Sequence, residues 1–222
     1  MIPRTHLASA RIPNGPDMHL YARGGDHMIL VDRDELMSTR MSGSEEALAT
    51  LTAERLGKRP WQRWLIGGYG MGFTLRAALR SLGRDAEVTV AELVPEIIDW
   101  ARGPMAELTG TCLDDPRTRL VLGDVATEIA RGGWDAILLD VDNGPDALVR
   151  AANQWLYEPG GLAITRAALK PGGVLAIWSA GADAQFTKTL HAAGFQVDEQ
   201  VVRARHNGKG PRHTIWFARR NG

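Results

Sequence analysis

Short, almost entirely apolar segments alternate with longer amphipathic segments from residue 61 toward the C-terminus. Short apolar runs bounded by turn residues are typical of strands buried on both faces of a sheet. Strands are predicted at residues 64–66, 88–91, 120–122, 136–139 and 174–177. Helices are predicted between them, at about residues 73–82, 96–101, 162–169 and 184–193. This alternation predicts an α/β fold with a doubly wound, mostly parallel sheet.

The two ends of the chain have different patterns. Residues 18–22 and 27–31 flank a Gly-rich turn, and a third short segment follows at residues 35–38, which together predict a small antiparallel meander. Residues 195–202 and 213–217 predict a closing antiparallel pair. We therefore expect a β-meander at residues 1–43 and a larger domain at residues 44–222.

Two local signals refine this scheme. Ser44 precedes a segment with helical spacing of leucines and is the expected N-cap of that helix. Residues 170–173 read Lys-Pro-Gly-Gly, and a Pro-Gly pair suits a type II turn between a helix and the next strand.

The charge balance argues against some classes of partner. Lys and Arg together number 26, as do Asp and Glu, so the formal net charge is zero. A neutral chain has no bulk attraction to nucleic acid or to an anionic membrane, and we expect neither as a partner.

Cys112 is the only cysteine and the N-terminus lacks the apolar run of a signal peptide, which predicts a cytoplasmic protein. The histidines show no metal-ligand spacing, so no metal is expected.

A Gly-rich segment follows the first strand of the larger domain. Glycines allow the backbone to approach a ligand closely, and a helix start presents free N–H groups. A dinucleotide site favours Gly-x-Gly-x-x-Gly, whereas this segment has the tighter spacing Gly-x-Gly-x-Gly. It is either a nucleoside-binding loop or only a tight strand-to-helix turn. The candidate binding residues are Gly67, Gly68, Tyr69, Gly70 and Gly72.

Acidic residues stand at the ends of the next three strands. Glu92 ends the second strand, Asp124 follows the third and Asp140 follows the fourth. Parallel strands bring their carboxyl ends to one edge of the sheet, where ligands bind. An acid at the end of the second strand can accept hydrogen bonds from ribose hydroxyls. Asp124 is also the expected N-cap of the helix that follows it.

The turn after the fourth strand contains further polar residues. Asp142 and Asn143 follow Asp140. Asp, Asn and Gly are common in turns whether or not the turn has a function. A buried strand that delivers Asp140 into the crevice would place a carboxylate where it can orient or deprotonate an amine or hydroxyl. The residues that either line an acceptor pocket or pack into the core are Asn153, Trp155 and Tyr157.

Together these motifs resemble the spermidine-synthase-like branch of the class I S-adenosylmethionine-dependent methyltransferase superfamily. The resemblance spans nearly the whole chain, including residues 65–72, 91–94, 122–124 and 134–140. It implies a Rossmann-like catalytic domain that binds S-adenosylmethionine or its decarboxylated form, a small-molecule acceptor and, because relatives are often dimers, a homodimer. It also implies that Glu92 binds ribose, that Asp124 binds adenine, and that Asp140, with Asp142 and Asn143, forms the catalytic turn.

The chain departs from this family at the residues specific for polyamines. Aminopropyltransferases carry an Asp at the place of Gly70, where it holds the aminopropyl amine. Their catalytic loop reads Asp-Ser-Ser-Asp-Pro, whereas residues 140–144 here read Asp-Val-Asp-Asn-Gly. The family's Gln and its Tyr-His pair correspond here to Leu36 and to Glu45-Glu46.

The sequence leaves several functions open. The missing acid at Gly70 favours a transferase that moves a methyl group to a small acceptor. The alternatives are an aminopropyltransferase that acts on polyamines and a non-catalytic relative that keeps the nucleoside pocket. An NAD-type oxidoreductase is disfavoured by the glycine spacing and by Asp124.

Overall fold

The computed structural model describes residues 3–32, 34–141 and 151–222. Within these residues the N-terminal part forms a four-stranded antiparallel sheet whose strands follow each other in sequence order. Three of these strands lie where the meander was predicted, and the first was missed because most of its side chains are exposed and show no apolar alternation. The strands are β1 (Thr5–Arg11), β2 (Asp17–Arg23), β3 (Asp26–Val31) and β4 (Asp34–Ser38).

The larger sheet contains seven strands in the described residues. They are β5 (Arg63–Gly67), β6 (Glu87–Glu92), β7 (Thr118–Leu122), β8 (Trp134–Leu139), β9 (Leu169–Ser179), β10 (Phe195–Arg203) and β11 (Arg212–Arg220). Their order is β10-β11-β9-β8-β5-β6-β7, and pairs between β5, β6, β7, β8 and β9 are parallel. The strands β10 and β11 add an antiparallel edge. The predicted doubly wound, mostly parallel sheet is therefore confirmed.

Helices cover both faces of this sheet because its central strands are apolar on both faces. On β5, Trp64 and Ile66 pack into one core and Leu65 packs into the other, as expected for a period of two. The first core includes side chains of α1, α2 and α3, and the second those of α5, α6 and α7. No helix in the described part of the chain has the length and apolar content to cross a membrane. The helices are α1 (Gly43–Leu56), α2 (Phe73–Ser81), α3 (Pro95–Arg102), α4 (Ala106–Thr109), α5 (Val125–Arg131), α6 (Pro159–Ala168) and α7 (Ala184–Ala192), with 3₁₀ turns at Thr39–Met41 and Ala151–Tyr157.

The expected N-cap at Ser44 was wrong. Helix α1 begins at Gly43, and Ser42 occupies the cap position without a side-chain hydrogen bond. The backbone N–H of Gly43 donates to the carbonyl of Ala204 at 2.8 Å, so a distant loop determines where the helix starts. Ser44 is fully buried in the first turn, where its hydroxyl contacts Glu45 instead.

The predicted Pro-Gly turn at residues 170–173 lies within β9 and not before it. The strand β9 is assigned from Leu169 to Ser179, so the chain enters the sheet earlier than the apolar pattern predicts. The pairing of β8 with β9 passes from Trp134 and Leu169 to Ala136 and Val174, so residues 170–173 form an irregularity opposite a single residue of β8. Gly172 has a φ of 74°, the conformation that a type II turn requires at its third residue.

Candidate functional site

A pocket lies at the carboxyl ends of β5, β6, β7 and β8, where the strand order reverses. Its empty space, including the open mouth, is about 980 Å³, within the usual range for small-molecule sites. The walls at the sheet are formed by Gly68, Glu92, Asp124 and Asp140, one from the end of each strand. The N-terminal sheet closes the other side with apolar side chains, among them Met18, Ile29 and Met37. The pocket therefore joins a polar sheet edge to an apolar cover.

Two glycines of the Gly-rich segment line this pocket. Gly68 has a φ of 82°, and a Cβ at this residue would lie 2.9 Å from the carbonyl oxygen of Asp140. Only glycine allows the loops after β5 and β8 to meet so closely. A Cβ at Gly70 would lie 2.7 Å from the Cε of Met37, so the thioether fills the space of the missing side chain.

The other candidates in this segment do not face the pocket. Gly67 is the last residue of β5, and Gly72 is the N-cap of α2. The phenol of Tyr69 is buried, with its oxygen 3.4 Å from the sulfur of Cys112, and burial raises the pKa of that phenol. Tyr69 contributes to the site only through its backbone N–H.

Glu92 is held by the backbone around it. Its side chain lies in the pocket wall, and the residue is only 6% exposed. One carboxylate oxygen accepts the N–H of Tyr69 and the other accepts the N–H of Val94, each at 2.8 Å. Burial raises the pKa of Glu92, although these N–H donors oppose that shift. Glu92 therefore anchors the Gly-rich loop and still offers lone pairs to a ligand.

Asp124 caps a helix and also lines the pocket, as the sequence predicts. Its carboxylate accepts the N–H of Ala126 at 2.9 Å and so caps α5. The same residue lines the pocket on the side of β7. Its cap role is thus compatible with a contact to a ligand.

Asp140 lies where β8 ends, half-buried in the pocket wall. No described residue donates a side-chain hydrogen bond to its carboxylate, and burial raises its pKa to about 7. A carboxyl group with such a pKa exchanges protons near neutral pH. Asp142 and Asn143, the other predicted residues of this turn, lie outside the described residues.

A second carboxylate faces the pocket beside Asp140, and the sequence did not identify it as a site residue. Glu45, on the first turn of α1, lines the pocket and is only 7% exposed. Burial, and then the charge of Asp140, raises the pKa of Glu45 to about 8. The only sequence signal was its replacement of a family residue, because nothing local reveals that α1 and β8 meet here.

Of the three residues predicted to line an acceptor pocket or pack into the core, one reaches the pocket. Asn153 lines it, whereas Tyr157 packs against Phe186 in the second core and Trp155 packs against that core. The pocket also contains Trp178 from β9, which no sequence motif indicated.

The charges in the pocket wall have one sign. Its ionisable residues are Glu45, Glu92, Asp124 and Asp140, and no described lining residue is Lys, Arg or His. No group of three or more His, Cys, Asp or Glu side chains in the described ranges has the arrangement of a metal site. The wall therefore suits a ligand that carries positive charge.

Known proteins with similar sequences are polyamine aminopropyltransferases. The chain is 29% identical to the enzyme of Mycobacterium tuberculosis over 194 residues, which is 82% of this chain and 34% of that protein. It is 30% identical to the enzyme of Corynebacterium efficiens over 192 residues, 81% of this chain and 33% of that protein. The chain thus spans about a third of the length of these relatives. No model of a known protein family matches it.

Solved structures with a similar fold are spermidine synthases. The enzyme from Thermotoga maritima superimposes with a TM-score of 0.74 at 18% identity, over 97% of this chain and 73% of that one. A spermidine synthase in complex with the transition-state analogue AdoDATO gives a TM-score of 0.73 at 18% identity, over 97% of this chain and 72% of the other. The chain has the spermidine synthase fold, and the predicted resemblance is confirmed.

Proposed function

We propose, from its resemblance to the polyamine aminopropyltransferases, that this chain transfers an aminopropyl group from decarboxylated S-adenosylmethionine to a small amine. In this proposal Glu92 accepts hydrogen bonds from the ribose hydroxyls, and Asp124 accepts one from the adenine amino group. Gly68 lets the backbone approach the aminopropyl donor. Asp140 lies at the reacting end of the donor.

The observation that carries the proposal is the acidic pocket wall with no described basic residue. S-adenosylmethionine carries a carboxylate, which such a wall repels, whereas its decarboxylated form carries only positive charges. An unfavourable difference of about 1.4 kcal/mol corresponds to a tenfold change in affinity. We therefore expect the decarboxylated donor to bind at least ~10-fold more tightly.

The role proposed for Asp140 follows from its pKa of about 7. An ammonium group must lose a proton before its nitrogen can attack. Asp140 takes this proton, the nitrogen forms a bond to the carbon next to the sulfonium, and the carbon–sulfur bond breaks. The electron pair of that bond stays on sulfur, which leaves neutral 5′-methylthioadenosine.

Methyl transfer, which the missing acid at Gly70 favoured, remains the second candidate. The observation in its favour is that Met37 fills the space where a side chain at residue 70 would lie. Against it stand the aminopropyltransferase relatives and the acidic wall.

The experiment compares the two donors with a panel of linear diamines as acceptors. Aminopropyl transfer releases 5′-methylthioadenosine and methyl transfer releases S-adenosylhomocysteine, which mass spectrometry distinguishes. Asp140→Asn should lower turnover at least ~100-fold and leave donor affinity within about twofold. Release of S-adenosylhomocysteine with no 5′-methylthioadenosine would overturn the proposal.

A further inference from the structure

A second cavity lies on the face of the N-terminal sheet that is turned away from the acidic pocket. Its empty space, including the open mouth, is about 500 Å³, and it shares no lining residue with that pocket. Met28 and Ile29 are consecutive on β3, and side chains alternate along a strand, so Ile29 lines the acidic pocket and Met28 lines the second cavity. The N-terminal sheet therefore separates the two spaces.

Four arginines from four segments of the chain line the second cavity. Arg23 pairs with Asp26 across β2 and β3, and direct partners in antiparallel strands have their side chains on the same face. The four residues, called the arginine cluster, are Arg4 before β1, Arg23 at the end of β2, Arg40 in the 3₁₀ turn after β4, and Arg205 between β10 and β11.

Backbone hydrogen bonds bring Arg205 to this cluster. Its N–H donates to the carbonyl of Lys209 at 3.2 Å, which closes the loop between β10 and β11. The carbonyl of Ala204 accepts the N–H of Gly43 at 2.8 Å, which holds this loop beside the 3₁₀ turn that carries Arg40. The cluster is therefore assembled by tertiary contacts between the N-terminal sheet and the C-terminal hairpin.

The cluster carries more positive charge than the carboxylates around it neutralise. Asp26 is occupied by Arg40, whose Nε donates to it at 2.6 Å, and this hydrogen bond lowers the pKa of Asp26. The other carboxylate of the lining, Glu35, is exposed. Four arginines against two carboxylates leave an excess of two positive charges. Neither Arg4 nor Arg205 forms a side-chain hydrogen bond or ion pair with another described residue.

Ser38 is an independent sign of a ligand in this cavity. It lines the cavity and is only 3% exposed. Its hydroxyl does not cap the 3₁₀ turn that follows it and has no hydrogen-bond partner in the described part of the chain. Because buried hydroxyl groups normally have a partner, an oxygen of a ligand in the cavity would complete the hydrogen bonding of Ser38.

We propose that the arginine cluster and Ser38 form a binding site for the phosphate group of a small phosphate compound. A phosphate group carries about two negative charges at neutral pH, which equals the excess positive charge of the lining. Guanidinium groups donate paired N–H bonds to phosphate oxygens, and the hydroxyl of Ser38 donates to a further oxygen. This site does not depend on the reaction proposed for the acidic pocket.

The shape of the site favours a compact anion over nucleic acid. Met28 and Met41 line the cavity together with the arginines, so the charges surround a partly apolar recess. Nucleic acid is bound by a basic surface that contacts several phosphates in a row, and the net charge of this chain is zero. A single phosphate group that enters the cavity reaches all four guanidinium groups.

The experiment titrates the full chain with inorganic phosphate and with glycerol 3-phosphate by calorimetry in a phosphate-free buffer. We expect one site per chain. Tighter binding of glycerol 3-phosphate identifies a phosphate ester as the ligand, and tighter binding of inorganic phosphate identifies the free ion. The double variant Arg4→Gln/Arg205→Gln removes two charged donors that have no described partner. It should fold like the parent and bind both compounds at least ~10-fold more weakly.

The matched control is Arg59→Gln/Arg84→Gln, which changes the net charge by the same amount. Both arginines are exposed, before β5 and before β6, away from the cavity lining. This variant should keep the parent affinity within about twofold. Ser38→Ala removes a hydroxyl without a described partner, so it should leave urea unfolding unchanged and weaken phosphate binding roughly 3–10-fold.

Three results would overturn the phosphate site. The first is the absence of binding of either compound to the parent at concentrations up to about 10 mM. The second is an affinity that Arg4→Gln/Arg205→Gln leaves unchanged, or that Arg59→Gln/Arg84→Gln lowers equally. The third is displacement of bound phosphate by 5′-methylthioadenosine, which would place the anion in the acidic pocket.

Discussion

Replacement of Glu92 by Gln tests the central carboxylate of the site with almost no change in volume. The two oxygens of Glu92 accept backbone N–H groups of Tyr69 and Val94. Glutamine has one acceptor and one donor at its end, so one N–H would face an NH₂ group. Glu92→Gln therefore breaks one charge-assisted hydrogen bond at a buried place.

The loss can be estimated from the bond that is broken. Hydrogen bonds to charged groups contribute about 1.5–3 kcal/mol. Because burial raises the pKa of Glu92, an uncharged side chain recovers part of the desolvation cost. We expect the free energy of unfolding to fall by about 1–3 kcal/mol, a decrease in Tm of roughly 2–12 °C for a chain of this size. Loss of the ribose contacts should weaken 5′-methylthioadenosine binding at least ~10-fold.

Urea unfolding, thermal melts and calorimetric binding of 5′-methylthioadenosine measure these quantities. Asp99→Asn is the matched control, since Asp99 is exposed on α3 near the site and should change neither stability nor binding. A Glu92→Gln protein as stable as the parent would refute the backbone-anchor argument. Lower stability with unchanged affinity would show that Glu92 supports the loop without contacting the ribose.

Two further predictions concern the other acids of the pocket. Asp124→Ala should lower stability by about 1 kcal/mol, because α5 loses its cap, and should also weaken 5′-methylthioadenosine binding. Asp124→Ser keeps a capping oxygen and should weaken only the binding. Urea unfolding and calorimetry measure the two effects separately, and equal binding by Asp124→Ser and the parent would contradict the adenine contact. Because the pKa values of Glu45 and Asp140 are raised on folding, their contribution to stability is present below about pH 4, where both are also protonated in the unfolded chain, and is lost as pH rises to about 8. Urea unfolding of the ligand-free protein across this range should show the decline, and Asp140→Asn should flatten it; a variant with the same pH dependence as the parent would contradict the raised pKa values.

Much of the architecture follows from local sequence. Apolar runs between turn residues predicted the central strands, because a strand covered on both faces needs apolar side chains in both directions. The acids after those strands meet at one edge because parallel strands share their direction. The sequence alone therefore predicted that Glu92, Asp124 and Asp140 lie in one site. The exposed strand β1 and the early start of β9 at Leu169 were missed, since neither is marked by an apolar period.

Tertiary structure alone decided which of these groups face one another. Glu45 and Asp140 lie on separate elements, and their raised pKa values depend on the burial that packing of α1 beside β8 creates. The contacts of Met37 with Gly70 and of His213 with Trp178 likewise join distant segments. Local patterns determine the hydrophobic period and hence the sheet, whereas the charge and chemistry of the pocket arise from distances between segments that only the folded chain brings together.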